Sequence, residues 1–119
     1  MADLLLTVAA QADIAALLDF SFDNFGQHSR RRYEALIGTA LEDLRLDPGL
    51  IGSVERPELG AGLRSYHLRY SQKRARTADG LVRTPRHLLI YEQPRPGLVL
   101  ILRVLHDSMD LDLHIPRDD

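Results

Sequence analysis

Apolar residues near the start of the chain follow a helical spacing. A short apolar run at residues 4–6 predicts a strand, and the Thr7 hydroxyl is expected to cap the helix that follows it. Phe20 and Phe22 widen a stripe that the first helix is expected to bury in the core. The stripe is formed by Ala10, Ile14, Leu17, Leu18 and Phe25.

The second helix has the clearest pattern in the chain. Gly26 is expected to end the first helix, and the second begins within residues 27–29. Asp47 precedes a proline, which disfavours helical backbone there, so the second helix should stop near Leu46. Its apolar face is formed by Tyr33, Leu36, Ile37, Ala40, Leu41 and Leu44. The two stretches therefore predict a helical hairpin.

Strand patterns follow in the second half of the chain. The glycines and prolines after Pro48 predict a loop, and Tyr66, Leu68 and Tyr70 then alternate with polar residues. Residues 86–93 predict a strand, residues 94–97 a turn, and residues 98–106 a central strand that is apolar on both faces. We therefore expect an α+β fold, with the helical hairpin packed on an antiparallel sheet of about four strands. At 119 residues, the chain should form a single domain, residues 1–119.

The composition of the chain indicates the cellular compartment in which we expect the protein. The chain has no cysteine, which excludes disulfides and thiolate metal sites. No apolar run approaches the roughly 20 residues of a membrane helix, and the first residues lack the basic region of a secretory signal. We expect a cytoplasmic protein that does not associate with membranes.

Positive charge is concentrated in one region although the formal net charge is only −2. We call residues 72–85 the basic segment; it has Asp79–Gly80 as a turn and is expected to form an extended loop or a protruding hairpin. The alternative to a binding role is that the segment is only a solvated surface loop. The candidates for binding a target or nucleic acid are Arg64, Lys73, Arg74, Arg76, Arg83, Arg86 and Arg103.

Candidate catalytic residues are few. Arg103 interrupts an apolar strand and would need a partner if it is buried, and His106 stands beside Asp107 at the end of that strand. With Arg86, they could form part of a site that cleaves RNA; the alternative roles are structural. His67 and His87 could lie on neighbouring strands, but two histidines without a carboxylate do not predict a metal site. We expect no metal and no cofactor.

Five short motifs, taken in order, resemble the RelE/ParE superfamily of toxins. They are TVAAQADI at residues 7–14, YEAL at 33–36, GLRSY at 62–66, PRHLLIY at 85–91 and ILRVLHD at 101–107. The resemblance implies the toxin of a type II toxin–antitoxin system, with growth inhibition and plasmid stabilisation as its consequences. It also implies a cognate antitoxin partner, here expected to be of the ribbon-helix-helix type. ParE-like members inhibit DNA gyrase, and RelE-like members cut mRNA on the ribosome.

The chain departs from the family pattern at two places. The basic segment is longer than the turn of many relatives, and the tail after His106 is acidic rather than basic, with Asp107, Asp110 and Asp112. Because an acidic tail would repel phosphate, we expect a ParE-like toxin that binds DNA gyrase, and an enzyme only if the RelE-like alternative holds. An mRNA endoribonuclease and an inactive fold that only binds antitoxin remain the alternatives, and direct nucleic-acid binding stays open.

Overall fold

The computed structural model describes residues 2–115 and has an α+β fold, which confirms the predicted class. Strand β1 and two long helices come first, and four strands follow. The elements are β1 (Asp3–Leu6), α1 (Val8–Phe25), α2 (Gln27–Leu46), β2 (Ser53–Glu55), β3 (Arg64–His67), β4 (His87–Arg95) and β5 (Leu98–His106), with 3₁₀ helices at Leu68–Ser71 and Leu111–His114.

The strands form one sheet in the order β1-β5-β4-β3-β2. The sheet has five strands rather than about four, because β2 lies within the predicted loop after Pro48. It is mixed rather than antiparallel, since β1 pairs with β5 in the parallel direction and the other pairs are antiparallel. A parallel partner far along the chain leaves no local pattern, so the sequence could not reveal this pairing.

The helical hairpin forms as predicted at its caps and its break. Thr7 Oγ1 accepts a hydrogen bond from the Ala10 amide (3.0 Å) and donates one to the Leu102 carbonyl (2.7 Å), which ties the start of α1 to β5. Gly26 separates the helices with φ +87°, a conformation that favours glycine. Helix α2 buries its predicted stripe at Leu36, Ile37, Ala40 and Leu44.

The aromatic end of α1 is exposed, which corrects the prediction that it belongs to the core. The exposed fractions of Phe20, Phe22 and Phe25 are 63%, 47% and 70%. The inward line of α1 continues from Leu17 to Ser21 instead, and Ser21 is buried and hydrogen-bonded to Ser29 of α2 at 2.7 Å. Because a serine pair closes the interface between the helices, the three phenylalanines lie outside it.

Apolar residues cover both faces of the sheet. The hairpin packs on one face over Leu89, Tyr91, Val99, Ile101 and Val104. A second cluster on the other face is closed by the tail, and its buried members are Leu59, Leu63, Leu88, Ile90, Leu105 and Ile115. The register between β5 and β4 shifts at Leu102, so Val99 and Val104, an odd and an even position of the strand, join the same cluster.

The structure corrects the end of one predicted strand and one of the two forms predicted for the basic segment. The strand expected through Tyr70 ends at His67, where a 3₁₀ helix begins. The basic segment does not protrude, because Ala75 and Val82 are buried in the core. Its predicted turn is present as a backbone bridge between Thr77 and Gly80. Within residues 2–115, no helix is both long and apolar enough to cross a membrane.

Candidate functional site

Arg103 is held by a carboxylate from α1. Its Nε and Nη2 donate to the two carboxylate oxygens of Asp13 (2.7 and 2.8 Å), and its Nη1 donates to the His114 carbonyl (2.8 Å). Asp13 also accepts the Val104 amide at 2.9 Å. Hydrogen bonding to Asp13 raises the pKa of Arg103. The expectation that Arg103 needs a partner is confirmed, and the pair links α1, β5 and the tail.

Sequence reasoning missed Asp13 as this partner. Asp13 lies three residues after Ala10 and four before Leu17, which are both buried on the inward side of α1. An acidic residue at that spacing borders the core, so it needs an opposite charge or donors from a neighbouring element. The position of Asp13 in the sequence could therefore have indicated a buried ion pair. The arginine that interrupts the apolar strand was the residue to pair it with.

Arg86 is paired with Asp107 at the far end of the β4–β5 hairpin. Its Nε lies 2.9 and 3.1 Å from the two carboxylate oxygens, and Nη2 lies 2.8 Å from one of them. His67 Nδ1 accepts the Arg69 amide, so its Nε2 donates to Asp107 at 3.0 Å. Arg86 first, and His67 second, hold the pKa of Asp107 well below its usual range. Asp107 therefore stays ionised and is a poor proton acceptor.

His106 lies opposite His87 across the same hairpin. The two rings are 5.1 Å apart in an edge arrangement, and His106 Nδ1 accepts the Ser108 amide (3.1 Å) and hydroxyl (2.7 Å). His106 Nε2 makes no hydrogen bond to residues 2–115. Burial, helped by His106, lowers the pKa of His87 to about 4, and its buried Nδ1 has no partner in the described part of the chain.

His106 lines a cavity of about 490 Å³ between α1 and the end of β5. Leu17, Phe20, Val104 and Met109 give it a mostly apolar wall. The cavity can accept an apolar side chain, and its polar lining includes three imidazoles, those of His87, His106 and His114. Over residues 2–115, no group of three or more histidine and acidic side chains is placed to hold a metal ion.

The remaining predicted cations separate into paired and unpaired residues. Arg64 is fixed at the β2 edge, where Nε donates to Ser53 Oγ at 2.7 Å and Nη1 lies 3.4 Å from Glu55. Arg74 is paired with Asp43 of α2. Three exposed cations of the basic segment form no ion pair with any described residue: Lys73, Arg76 and Arg83. The structure therefore does not bring the predicted set together in one site.

The basic segment and α2 enclose a groove of about 810 Å³ that the sequence did not predict. Burial raises the pKa of Tyr33, which lines it. We call this cavity the arginine groove; it is lined by Phe25, Arg32, Tyr33, Arg76, Leu81, Val82 and Arg83, among others. Arg32 comes from α2, and the predicted cations supply only Arg76 and Arg83, so composition of the segment alone could not reveal it.

Comparison with known protein families gives one match over most of the chain. Residues 4–111 match a family model described as the ParE toxin of type II toxin-antitoxin system, parDE. The matched region begins at the second residue of β1 and includes the other four strands, both long helices and the first residue of the 3₁₀ helix Leu111–His114. No curated protein matches the chain.

Proposed function

Because the chain belongs to the ParE toxin family of type II toxin–antitoxin systems, we propose that it inhibits DNA gyrase and is neutralised by a cognate antitoxin. Gyrase inhibition places its action in the cytoplasm. The antitoxin is proposed to be of the ribbon-helix-helix type. Growth arrest and plasmid stabilisation would follow from release of the toxin when the antitoxin is lost.

The observation that carries this proposal is that Arg103 of β5 and Arg86, which directly precedes β4, are both paired with a carboxylate. Cleavage of RNA needs cationic groups that hold the scissile phosphate and stabilise developing charge. Arg103 is bound by both carboxylate oxygens of Asp13, and Arg86 is paired with Asp107, so each would have to leave its carboxylate to hold a phosphate. The ionised Asp107 also adds negative charge next to His106. This surface suits contact with a protein better than cleavage of RNA.

The exposed cations of the basic segment are proposed to strengthen binding to the target. Lys73, Arg76 and Arg83 can attract acidic side chains or the phosphates of gyrase-bound DNA. Such attraction is screened by salt, because the groups are exposed. Inhibition should therefore weaken as the salt concentration rises.

A paired assay on one preparation of purified toxin tests the proposal. We expect inhibition of gyrase supercoiling, or trapping of its cleaved DNA complex, and no mRNA cleavage on translating ribosomes. Codon-specific cuts with gyrase unaffected would overturn the proposal in favour of the RelE-like nuclease. Failure of both activities, with antitoxin still bound, would favour the inactive fold.

A further inference from the structure

The arginine groove has rigid walls. Thr77 and Gly80 exchange two backbone hydrogen bonds of 2.9 Å, which closes the turn of the basic segment. Arg32 Nη1 donates to the Asp79 carbonyl at 3.2 Å, and His28 contacts the Asp79 carboxylate. These contacts fasten the turn to α2, so the groove is formed before any partner arrives. A preformed site reduces the entropic cost of binding.

The groove combines an apolar floor with positive charge. Val82 is buried and Tyr33 partly buried at the floor, while Phe25 presents an exposed ring. Three arginines line the cavity against a single acid, Asp79, which His28 already engages: Arg32, Arg76 and Arg83. A ligand that fits must bring an apolar group together with carboxylates, which arginine binds with favourable geometry.

An apolar path leads out of the groove along α1. Phe25 lines the groove, and its ring contacts Phe20 edge-on at 6.3 Å between centroids. Phe20 in turn lines the cavity beside His106. The two cavities are therefore joined by a pair of exposed phenylalanines, and an extended or helical peptide could follow both. Exposed apolar surface of this kind marks interaction sites in proteins.

We propose that the arginine groove binds a short acidic segment that carries an aliphatic or aromatic side chain and is supplied by the antitoxin. The source of the segment rests on the proposed function, whereas its chemistry rests on the groove alone. The groove would then help the toxin to select its own antitoxin. Arg76 and Arg83 would then be masked from the target while the antitoxin is bound.

Nucleic acid fits the groove less well than an acidic peptide. A nucleic acid would extend beyond the groove over a chain whose formal net charge is −2. A short peptide experiences mainly the local positive charge, because screening confines electrostatic attraction to about 10 Å. The apolar floor also offers a place for a leucine or phenylalanine side chain, which a phosphate backbone would leave unused.

Binding of a synthetic peptide of glutamate, leucine and phenylalanine to the purified toxin tests the groove. We expect fluorescence anisotropy at low salt to show affinity about tenfold weaker for Arg76→Glu/Arg83→Glu than for the unaltered toxin. The matched control Arg31→Glu/Arg95→Glu has the same charge change at exposed arginines outside the groove and should differ by less than about twofold. Equal weakening by both double variants would overturn the proposal.

A second pair of variants tests the apolar part of the groove. Phe25→Ser should weaken the same peptide by about fivefold, whereas Phe22→Ser, which removes an exposed ring outside the lining, should not. A single-stranded oligonucleotide of equal charge serves as the competitor. If the oligonucleotide binds the groove residues more tightly than the peptide does, the site belongs to nucleic acid and the proposed peptide ligand is overturned.

Hydrogen exchange on the toxin purified with its antitoxin tests the source of the segment. The amides of residues 76–84 should exchange more slowly in the complex than in the free toxin. Unchanged exchange there, with protection elsewhere, would overturn the antitoxin as the source. The gyrase assay on unaltered toxin reports on the proposed function, and the peptide and exchange measurements report on the groove. Failure of one proposal can therefore be told apart from failure of the other.

Discussion

Arg103 and two arginines of the basic segment, Arg76 and Arg83, are the same residue type in opposite environments. Arg103 lies within the sheet and is bound by Asp13 and the His114 carbonyl, whereas Arg76 and Arg83 lie at the surface without an ion pair to any described residue. A partly buried charge must be compensated inside the protein, while an exposed charge is solvated and remains available. Burial therefore separates Arg103, which serves the fold, from Arg76 and Arg83, which remain available for binding.

The largest expected effect comes from removing the acid that holds Arg103. Asp13→Ala leaves the guanidinium and the Val104 amide without their acceptor, so the free energy of unfolding should fall by about 3 kcal/mol. Urea denaturation measures the loss. Asp19→Ala, at an exposed position on the same helix, is the control and should cost less than about 0.5 kcal/mol. Similar losses in both variants would break the contrast.

The tail that Arg103 helps to hold should be the next most sensitive region. Ile115 is buried against the second face of the sheet, so Ile115→Ala should cost about 2 kcal/mol. Leu113→Ala, at an exposed position in the same tail, should be nearly neutral. Truncation after His106 would remove this packing and confound any test of the tail as a target surface. Equal thermal unfolding of the two point variants would show that the tail is not packed.

His87, at the start of β4, should make the stability of the protein depend on pH. The pKa of His87 falls from 6.5 to about 4 on folding, so the unfolded chain binds the extra proton between these values. Stability is therefore full above about pH 6.5 and is lost as the pH falls toward 4. In His87→Phe, the free energy of unfolding should fall by about 1 to 2 kcal/mol less between these pH values than in the unaltered protein. Denaturation measured across pH tests this. An unchanged pH profile would exclude His87 as its source.

The smallest effect on stability is expected in the basic segment. Lys73→Gln/Arg76→Gln/Arg83→Gln should change the free energy of unfolding by less than about 0.5 kcal/mol, because these side chains are solvated. Arg74 is left in place because it is paired with Asp43. The same triple variant should bind its partner more weakly at low salt, and the difference should shrink at high salt. Unchanged affinity at low salt would return the segment to a solvated loop.

The regular elements could be predicted because their patterns are local. The stripe of α2 and the Gly26 break depend on residues within a few turns, and both are present. Strand β2 has only three residues, too few for a period to emerge. The register shift at Leu102 and the parallel pairing of β1 depend on residues that are distant in sequence.

The candidate site was less predictable than the fold for the same reason. Position in the strand indicated that Arg103 needs a partner, but the partner is 90 residues away in α1. The arginine groove likewise combines Arg32 of α2 with Arg76 and Arg83 of the basic segment. Charge composition locates cations along the chain, and only the packing of elements shows which of them are free.

We expect Arg103 to stabilise the fold and to take no part in toxicity. Asp13→Asn/Arg103→Gln removes both charges but keeps side chains that can donate and accept hydrogen bonds between α1 and β5. After unfolding measurements establish that the variant is folded, gyrase supercoiling is measured beside the unaltered toxin. Inhibition should stay within about threefold of the unaltered protein. A folded variant that no longer inhibits gyrase would contradict this expectation.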